Sequence, residues 1–140
     1  KRIKIPLTDR SLFEAAYTEL FKKGMVKYFT VVNNGLMIGV RIVLCYKDLV
    51  YDWYAGSSYK DRNKYPNDFL PWEVILWCKR SGYKIFDFGG AGKPGKPYGV
   101  RDYKLRFGGR LVNFGRYEKV HNKLLMKIGE TGFALKRKFF

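Results

Sequence analysis

Apolar positions along the chain fall into alternating helical and strand periods. Thr8 or Asp9 can cap a first helix, in which Leu12, Phe13, Ala16, Tyr17, Leu20 and Phe21 recur at helical spacing before Gly24 stops it. From Val26 to Asn33 the chain is β-branched and aromatic, which predicts a strand. Asn34-Gly35 then predicts a hairpin, because both central residues of a type I′ turn need positive φ. Leu36, Ile38, Val40, Ile42 and Leu44 alternate along the returning strand, Lys47-Asp48 makes a second turn, and Leu49 to Ala55 is a third strand. Three antiparallel strands in a meander follow.

The second half is more broken. Residues 56–67 read as a polar, tyrosine-bearing loop. Pro71 suits the first turn of a helix, where its missing N–H costs nothing. Leu70, Val74, Trp77 and Cys78 share one face of that helix, and Ser81-Gly82 ends it. Ile85 to Phe88 is a short strand, 89–97 a glycine- and proline-rich loop, and Val100 to Phe107 a short helix closed by Gly108-Gly109. Leu111 to Tyr117 reads as a last strand. Val120, Leu124 and Ile128 suggest a closing helix interrupted by Gly129 and Gly132, with core packing its expected role. The expected fold class is α/β (α+β), with a mixed sheet, since hairpins exclude a wholly parallel one. No internal repeat or dividing linker appears, so residues 1–140 are expected to form a single domain.

Composition narrows the function. Apolar residues make up 46% and aromatics 18% of the 140 residues, which excludes a disordered chain. Lysine and arginine total 28 against 12 acids, a net charge of +16 that calls for an anionic partner. RNA, a phosphorylated cofactor, a nucleotide-linked substrate and an anionic membrane all qualify. Cys45 and Cys78 lie in apolar stretches and read as buried thiols, not a disulfide framework. With no cleavable signal pattern and no apolar run near the ~20 residues of a membrane span, a cytoplasmic location is expected. The chain opens at Lys1 without a methionine, which suggests a piece of a longer protein.

The segment 86–110, FDFGGAGKPGKPYGVRDYKLRFGGR, is the richest in candidate chemistry. Gly90 and Gly95-Lys96 have phosphate-loop spacing, but Pro97 stands where a Mg²⁺-holding hydroxyl belongs, and Pro94 and Pro97 lack N–H donors. The loop leads instead into a short helix carrying Arg101, Lys104 and Arg106. Those three could bind an anion, or form a solvated basic face over Val100, Tyr103 and Phe107.

The string Tyr98-Gly99-Val100-Arg101-Asp102-Tyr103-Lys104-Leu105-Arg106-Phe107-Gly108-Gly109 resembles the G-(L/V)-x-x-(F/Y)-K-x-x-F-G-G signature of the Fem-type peptidoglycan-bridge aminoacyltransferases of the GNAT superfamily. Two further pieces are similar and in the family's order. They are the aromatic strand Tyr51-Asp52-Trp53-Tyr54-Ala55-Gly56-Ser57, and the helix from Pro71-Trp72-Glu73 leading into Gly82-Tyr83-Lys84-Ile85-Phe86-Asp87-Phe88-Gly89-Gly90. The resemblance spans roughly positions 8 to 117.

The resemblance implies a GNAT-like, largely antiparallel sheet with helices on both faces. It implies an N-acyltransferase that moves an aminoacyl group from charged transfer RNA to an amine on a peptidoglycan precursor; superfamily relatives use acyl-CoA. It also implies a second, N-terminal GNAT-like domain, this chain being the C-terminal half. No resident cofactor is expected, the donor being a substrate, and one histidine with two scattered cysteines suggests no metal site. The family's aromatic–lysine pair falls on Tyr103 and Lys104. Lys104 is the expected electrostatic group, with Tyr103 supporting it and Asp52 as the candidate base; Asp87 is the other strand carboxylate. Arg101, Arg106, Lys96, Gly89, Gly90, Ser57 and Tyr59 are the expected donor-binding residues. One departure stands out. The Q/R-x-x-G-x-G/A pyrophosphate motif of most CoA-using relatives is replaced by Gly56-Ser57-Ser58-Tyr59.

Other readings remain open on the residues alone. His121, the only histidine, suits a cap or surface role. Tyr54, Tyr59, Lys60, Arg62, Lys64 and Tyr65 could stack bases and bind phosphates in a non-catalytic RNA- or phosphate-binding module. Lysines among the apolar residues of the tail could give peripheral contact with an anionic membrane.

Overall fold

The computed structural model describes residues 8–115 and 117–139, with the backbone alone at 137–139. Two compact units make up the chain: one comprises residues 11–111, and the second contains the stretch from Val112 onward.

The helix α1 (Arg10–Leu20), in the larger unit from its second residue on, precedes the meander β1 (Val26–Asn33), β2 (Leu36–Tyr46) and β3 (Leu49–Ser57). A short 3₁₀ turn at Arg62–Lys64 leads into α2 (Pro66–Arg80), then β4 (Ile85–Asp87) and α3 (Gly99–Leu105). The strand order is β1-β2-β3-β4. The first three strands are antiparallel, and β4 runs parallel to β3. The mixed, largely antiparallel sheet expected from the sequence is therefore present. Asn34 and Gly35 have φ of 50° and 77°, as the β1–β2 hairpin demands. Gly24, with φ 69°, terminates the α1 segment through a backbone bond to the Phe21 carbonyl.

Both faces of the sheet are covered. On one, Val43, Cys45 and Val50 meet Val74 and Cys78 of α2 in a buried cluster, with Phe29, Trp77, Tyr83 and Phe86 packed around it. On the other, Phe13 and Tyr17 of α1 meet Tyr54 of β3 and Tyr28 of β1. Gly39 marks where α2 crosses closest. A Cβ there would lie 2.9 Å from Val31 Cγ1, 3.1 Å from Pro66 Cβ and 3.2 Å from Leu70 Cδ1. Gly39→Ala is therefore expected to cost about 1–3 kcal/mol through overpacking, read as a lower urea midpoint with an unchanged m value.

Three expectations are corrected. The helix after the meander begins at Pro66, not near Pro71; Pro66 holds the N-terminal position and Pro71 lies inside α2. No strand forms at 111–117 among its described residues. Gly115 takes φ 77° and donates to Asn113 Oδ1, a local turn that breaks the extended run. Finally, α4 (Lys123–Phe139) runs straight through Gly129 and Gly132, since a helical glycine costs about 1 kcal/mol without blocking the geometry. Its described apolar side chains are exposed, so the expected core packing is not seen. Asn122 caps it by accepting from the N–H groups of Leu124 and Leu125, and His121 is an exposed residue just outside the cap. No described helix is long and apolar enough to cross a membrane.

Candidate active site

Pairing between β3 and β4 is brief: Leu49 with Ile85, Val50 with Phe86 and Tyr51 with Asp87. Beyond that point β4 ends, while β3 continues to Ser57 beside β2 alone. A register shift falls at the same place. Val43 faces Asp52 and Ile42 faces Tyr54, so Trp53 is the extra residue of a bulge. The two strands therefore part where Asp52 stands, leaving a splay whose floor carries polar groups.

Asp52 shares the α2 face with Val50 and is nearly buried, its side chain 11% exposed. Its Oδ2 accepts from Arg41 Nη1 at 2.7 Å, and the Arg41 side chain is 5% exposed. Asp52 Oδ1 and Arg41 Nε are both buried without a partner. Burial pushes the Asp52 carboxyl above the usual carboxylate range, against the opposing pull of Arg41 and Lys104. A carboxyl with a raised proton affinity and one unoccupied oxygen is suited to accept a proton.

Lys104 reaches this cluster from α3. Its Nζ donates to the carbonyls of Phe88 at 2.5 Å and Gly90 at 2.8 Å, where the chain leaves β4. Burial pulls its proton affinity below that of a free lysine, while Asp52 and Asp87 hold it up. An ammonium has three donors, and these two carbonyls take two of them. Gly90 thus contributes its carbonyl. Gly89 donates its N–H to Asp87 Oδ1 at 2.7 Å; its φ of 69° favours glycine, and a Cβ there would press on the Tyr51 ring, 3.0 Å from the hydroxyl.

Proline chemistry explains how α3 is seated. Pro71 cannot donate to the carbonyl of Asn67 four residues back, so α2 carries one orphan acceptor. The Tyr103 hydroxyl donates to that carbonyl. An aromatic series continues the attachment. Tyr103 packs on Phe107 at 5.4 Å between ring centroids, Phe107 on Phe88 at 5.3 Å, and Phe88 on Phe86 at 4.8 Å. Tyr103→Phe is expected to cost about 1 kcal/mol, and Pro71→Ala, which restores the helical donor, should remove most of that cost. A double-mutant cycle in urea measures the coupling; additive effects would show that the carbonyl is not shared.

The remaining expected donor-binding residues divide. Arg101 donates to the carbonyls of Lys96 at 2.6 Å, Lys93 at 3.3 Å and Ala91 at 3.4 Å, so it folds the glycine loop around itself. Lys96 lies exposed in that loop and Arg106 exposed at the end of α3. Ser57 and Tyr59 are not brought to Lys104. At ~3.3 Å per residue, Ser57 is about 16 Å along β3 from Asp52. Tyr59 is 68% exposed, with Arg62 over its ring at 4.7 Å and bonded to its hydroxyl.

Arg41 is absent from the residues singled out by sequence. A signal was there: a charged residue between Val40 and Ile42, in a strand apolar on both sides, must find a buried partner.

A family model described as an acetyltransferase (GNAT) domain matches residues 2–105. Among solved structures, an aminoglycoside N-acetyltransferase in complex with CoA has a similar fold. Its TM-score is 0.53 and its identity 13%, over 81% of this chain and 87% of that one. No curated protein matches the chain.

Proposed function

The chain belongs to the acetyltransferase (GNAT) domain family, and from that premise we propose that it transfers an aminoacyl group from charged transfer RNA to an amine, with the β3–β4 splay as the transfer site. The observation that carries this reading is the convergence of Asp52, Arg41 and Lys104 where the two strands part. The acceptor amine attacks the ester carbonyl of the donor, forming a C–N bond. Asp52 receives the amine's surplus proton through an intervening water, since its free Oδ1 is itself buried. The third donor of Lys104 steadies negative charge on the carbonyl oxygen as it develops. The C–O bond then breaks, and the proton held by Asp52 passes back through the water to the departing ribose oxygen, which leaves as a hydroxyl.

Aminoacyl-tRNA is preferred over acyl-CoA because the loop before α2 is poorly built for a pyrophosphate. Pro66 removes an N–H from the first turn, Asp68 puts a carboxylate there, and Asp61 accepts from Ser58 just upstream. Acyl-CoA is the second reading, favoured by the fold likeness to an enzyme solved with CoA. In keeping with the Fem-type resemblance, we assign a cell-wall precursor as acceptor and a preceding GNAT-like domain as the other wall of its pocket.

The test offers the protein two labelled donors, aminoacyl-tRNA and acetyl-CoA, with an amine-bearing peptidoglycan precursor. Label is expected to pass from the aminoacyl-tRNA. Transfer from acetyl-CoA alone would select the second reading. Binding of transfer RNA without transfer from either donor would leave a non-catalytic RNA module and sink both.

A further inference from the structure

The helix α4 lies beyond the stretch that matches the acetyltransferase domain, which ends at residue 105. None of the buried core residues comes from it. Seventeen residues give it a length of about 25 Å. Leu124, Ile128 and Leu135 fall within about 40° of one another around its axis, with Leu125 beside them. All four are more than half exposed, between 52% and 68%. Lys123 and Lys127 flank this stripe on one side. Five basic residues stand against one acid, Glu130, in the whole helix.

We propose that α4 docks in the plane of an anionic lipid surface, its Leu124–Ile128–Leu135 stripe among the acyl chains and its lysines at the headgroups. Charge complementarity selects this occupant. A soluble partner helix could cover the stripe, but it would have to set acidic residues of its own against the lysines beside the stripe. A bilayer supplies anions continuously along the helix, and lysine stems reach from an apolar stripe to the headgroup level. The positive charge of the rest of the chain adds to the attraction. This inference stands apart from the transfer chemistry, because no residue of α4 belongs to the splay.

Vesicle co-sedimentation of the 140-residue chain tests it, with phosphatidylcholine alone and with phosphatidylcholine–phosphatidylglycerol mixtures. Binding is expected to the anionic vesicles and to fall as salt rises. The decisive variant is Leu124→Ser/Ile128→Ser/Leu135→Ser, which keeps every charge and touches no core residue. It is expected to weaken binding about tenfold or more, as lost apolar burial requires. Unchanged circular dichroism and thermal unfolding of residues 11–111 would show that the fold persists. Undiminished vesicle binding by the triple variant would overturn the proposal, since net charge alone would then explain it. So would a lipid-free dimer that the same substitutions dissociate, because a second copy would be the occupant. Tight RNA binding lost with the stripe would count against it equally.

Discussion

Arg41→Met is expected to destabilise the protein by about 3–5 kcal/mol, more than any other single change considered, because it leaves a buried carboxylate without its counter-charge. The Arg41–Asp52 pair spans neighbouring strands at 2.7 Å, and both side chains are almost out of water. The loss of stability should depend on pH. In the variant, Asp52 keeps the burial that raises its proton affinity and loses the arginine that opposed it. The folded state then binds a proton that the unfolded state gives up at about pH 4, so stability from this group declines as pH rises above that value. The deficit against wild type is thus smallest in acid and largest near neutrality. Arg41→Met/Asp52→Leu should recover most of the loss, since a pair replaced by apolar groups leaves no orphan charge. Urea unfolding across pH measures all three; a pH-independent deficit, or a double variant no better than the single one, would refute the account of the pair.

The second large effect is on turnover. Lys104→Met keeps the aliphatic stem of the side chain and removes the ammonium that sits between the carbonyls of Phe88 and Gly90. Loss of one charge-stabilising donor typically lowers kcat by about 10²–10³. The fall should appear in kcat with KM little changed, because the charge it stabilises is absent from the bound ground state. The substitution also removes two hydrogen bonds that tie α3 to the exit of β4. Its thermal midpoint must therefore be measured beside the rate. A large kcat loss in a protein that still melts cooperatively is the expected pattern. A loss of stability with unimpaired turnover per folded molecule would make Lys104 a structural tie and nothing more.

Much of this architecture was legible in the order of residues because it is locally encoded. Asn34-Gly35 permits few conformations other than the turn it makes, and the alternation after it marks a strand, although both faces of that strand are buried, Ile38 and Ile42 on one and Val43 and Cys45 on the other. The short helix bearing Tyr103 and Lys104 was visible from its glycine borders. What was not legible depends on distant contacts. Pro71 looked like a helix start because an internal proline normally leaves an unsatisfied carbonyl. Here Tyr103, 36 residues away from Asn67, supplies the missing donor. Arg41 read as one more strand residue, since nothing in its neighbourhood along the chain announces Asp52 across the sheet. The apolar run at 111–117 has strand composition, but the local Asn113–Gly115 turn overrides it. The apolar period of α4 announced a helix, but its two glycines do not interrupt it and the core packing expected of its apolar residues is not what they do.

Arg101 gives a similar lesson for chemistry. Its position at the start of a short helix suggested an anion ligand, yet its guanidinium is bonded to three carbonyls of the preceding loop. Holding that loop folded still serves the splay, because the Gly90 carbonyl that accepts from Lys104 lies at the loop's beginning.

The most direct test of the transfer site is a two-dimensional amide spectrum of the chain titrated with a non-hydrolysable aminoacyl-tRNA acceptor-stem analogue. The amide signals of Asp52, Trp53, Gly89 and Gly90 are expected to move together and saturably, and to do so at similar concentrations in Lys104→Met, whose defect lies in turnover and not in ground-state binding. Shifts confined to residues 112–139, or spread over exposed lysines and vanishing with salt, would place the donor elsewhere and contradict a reaction centre between β3 and β4.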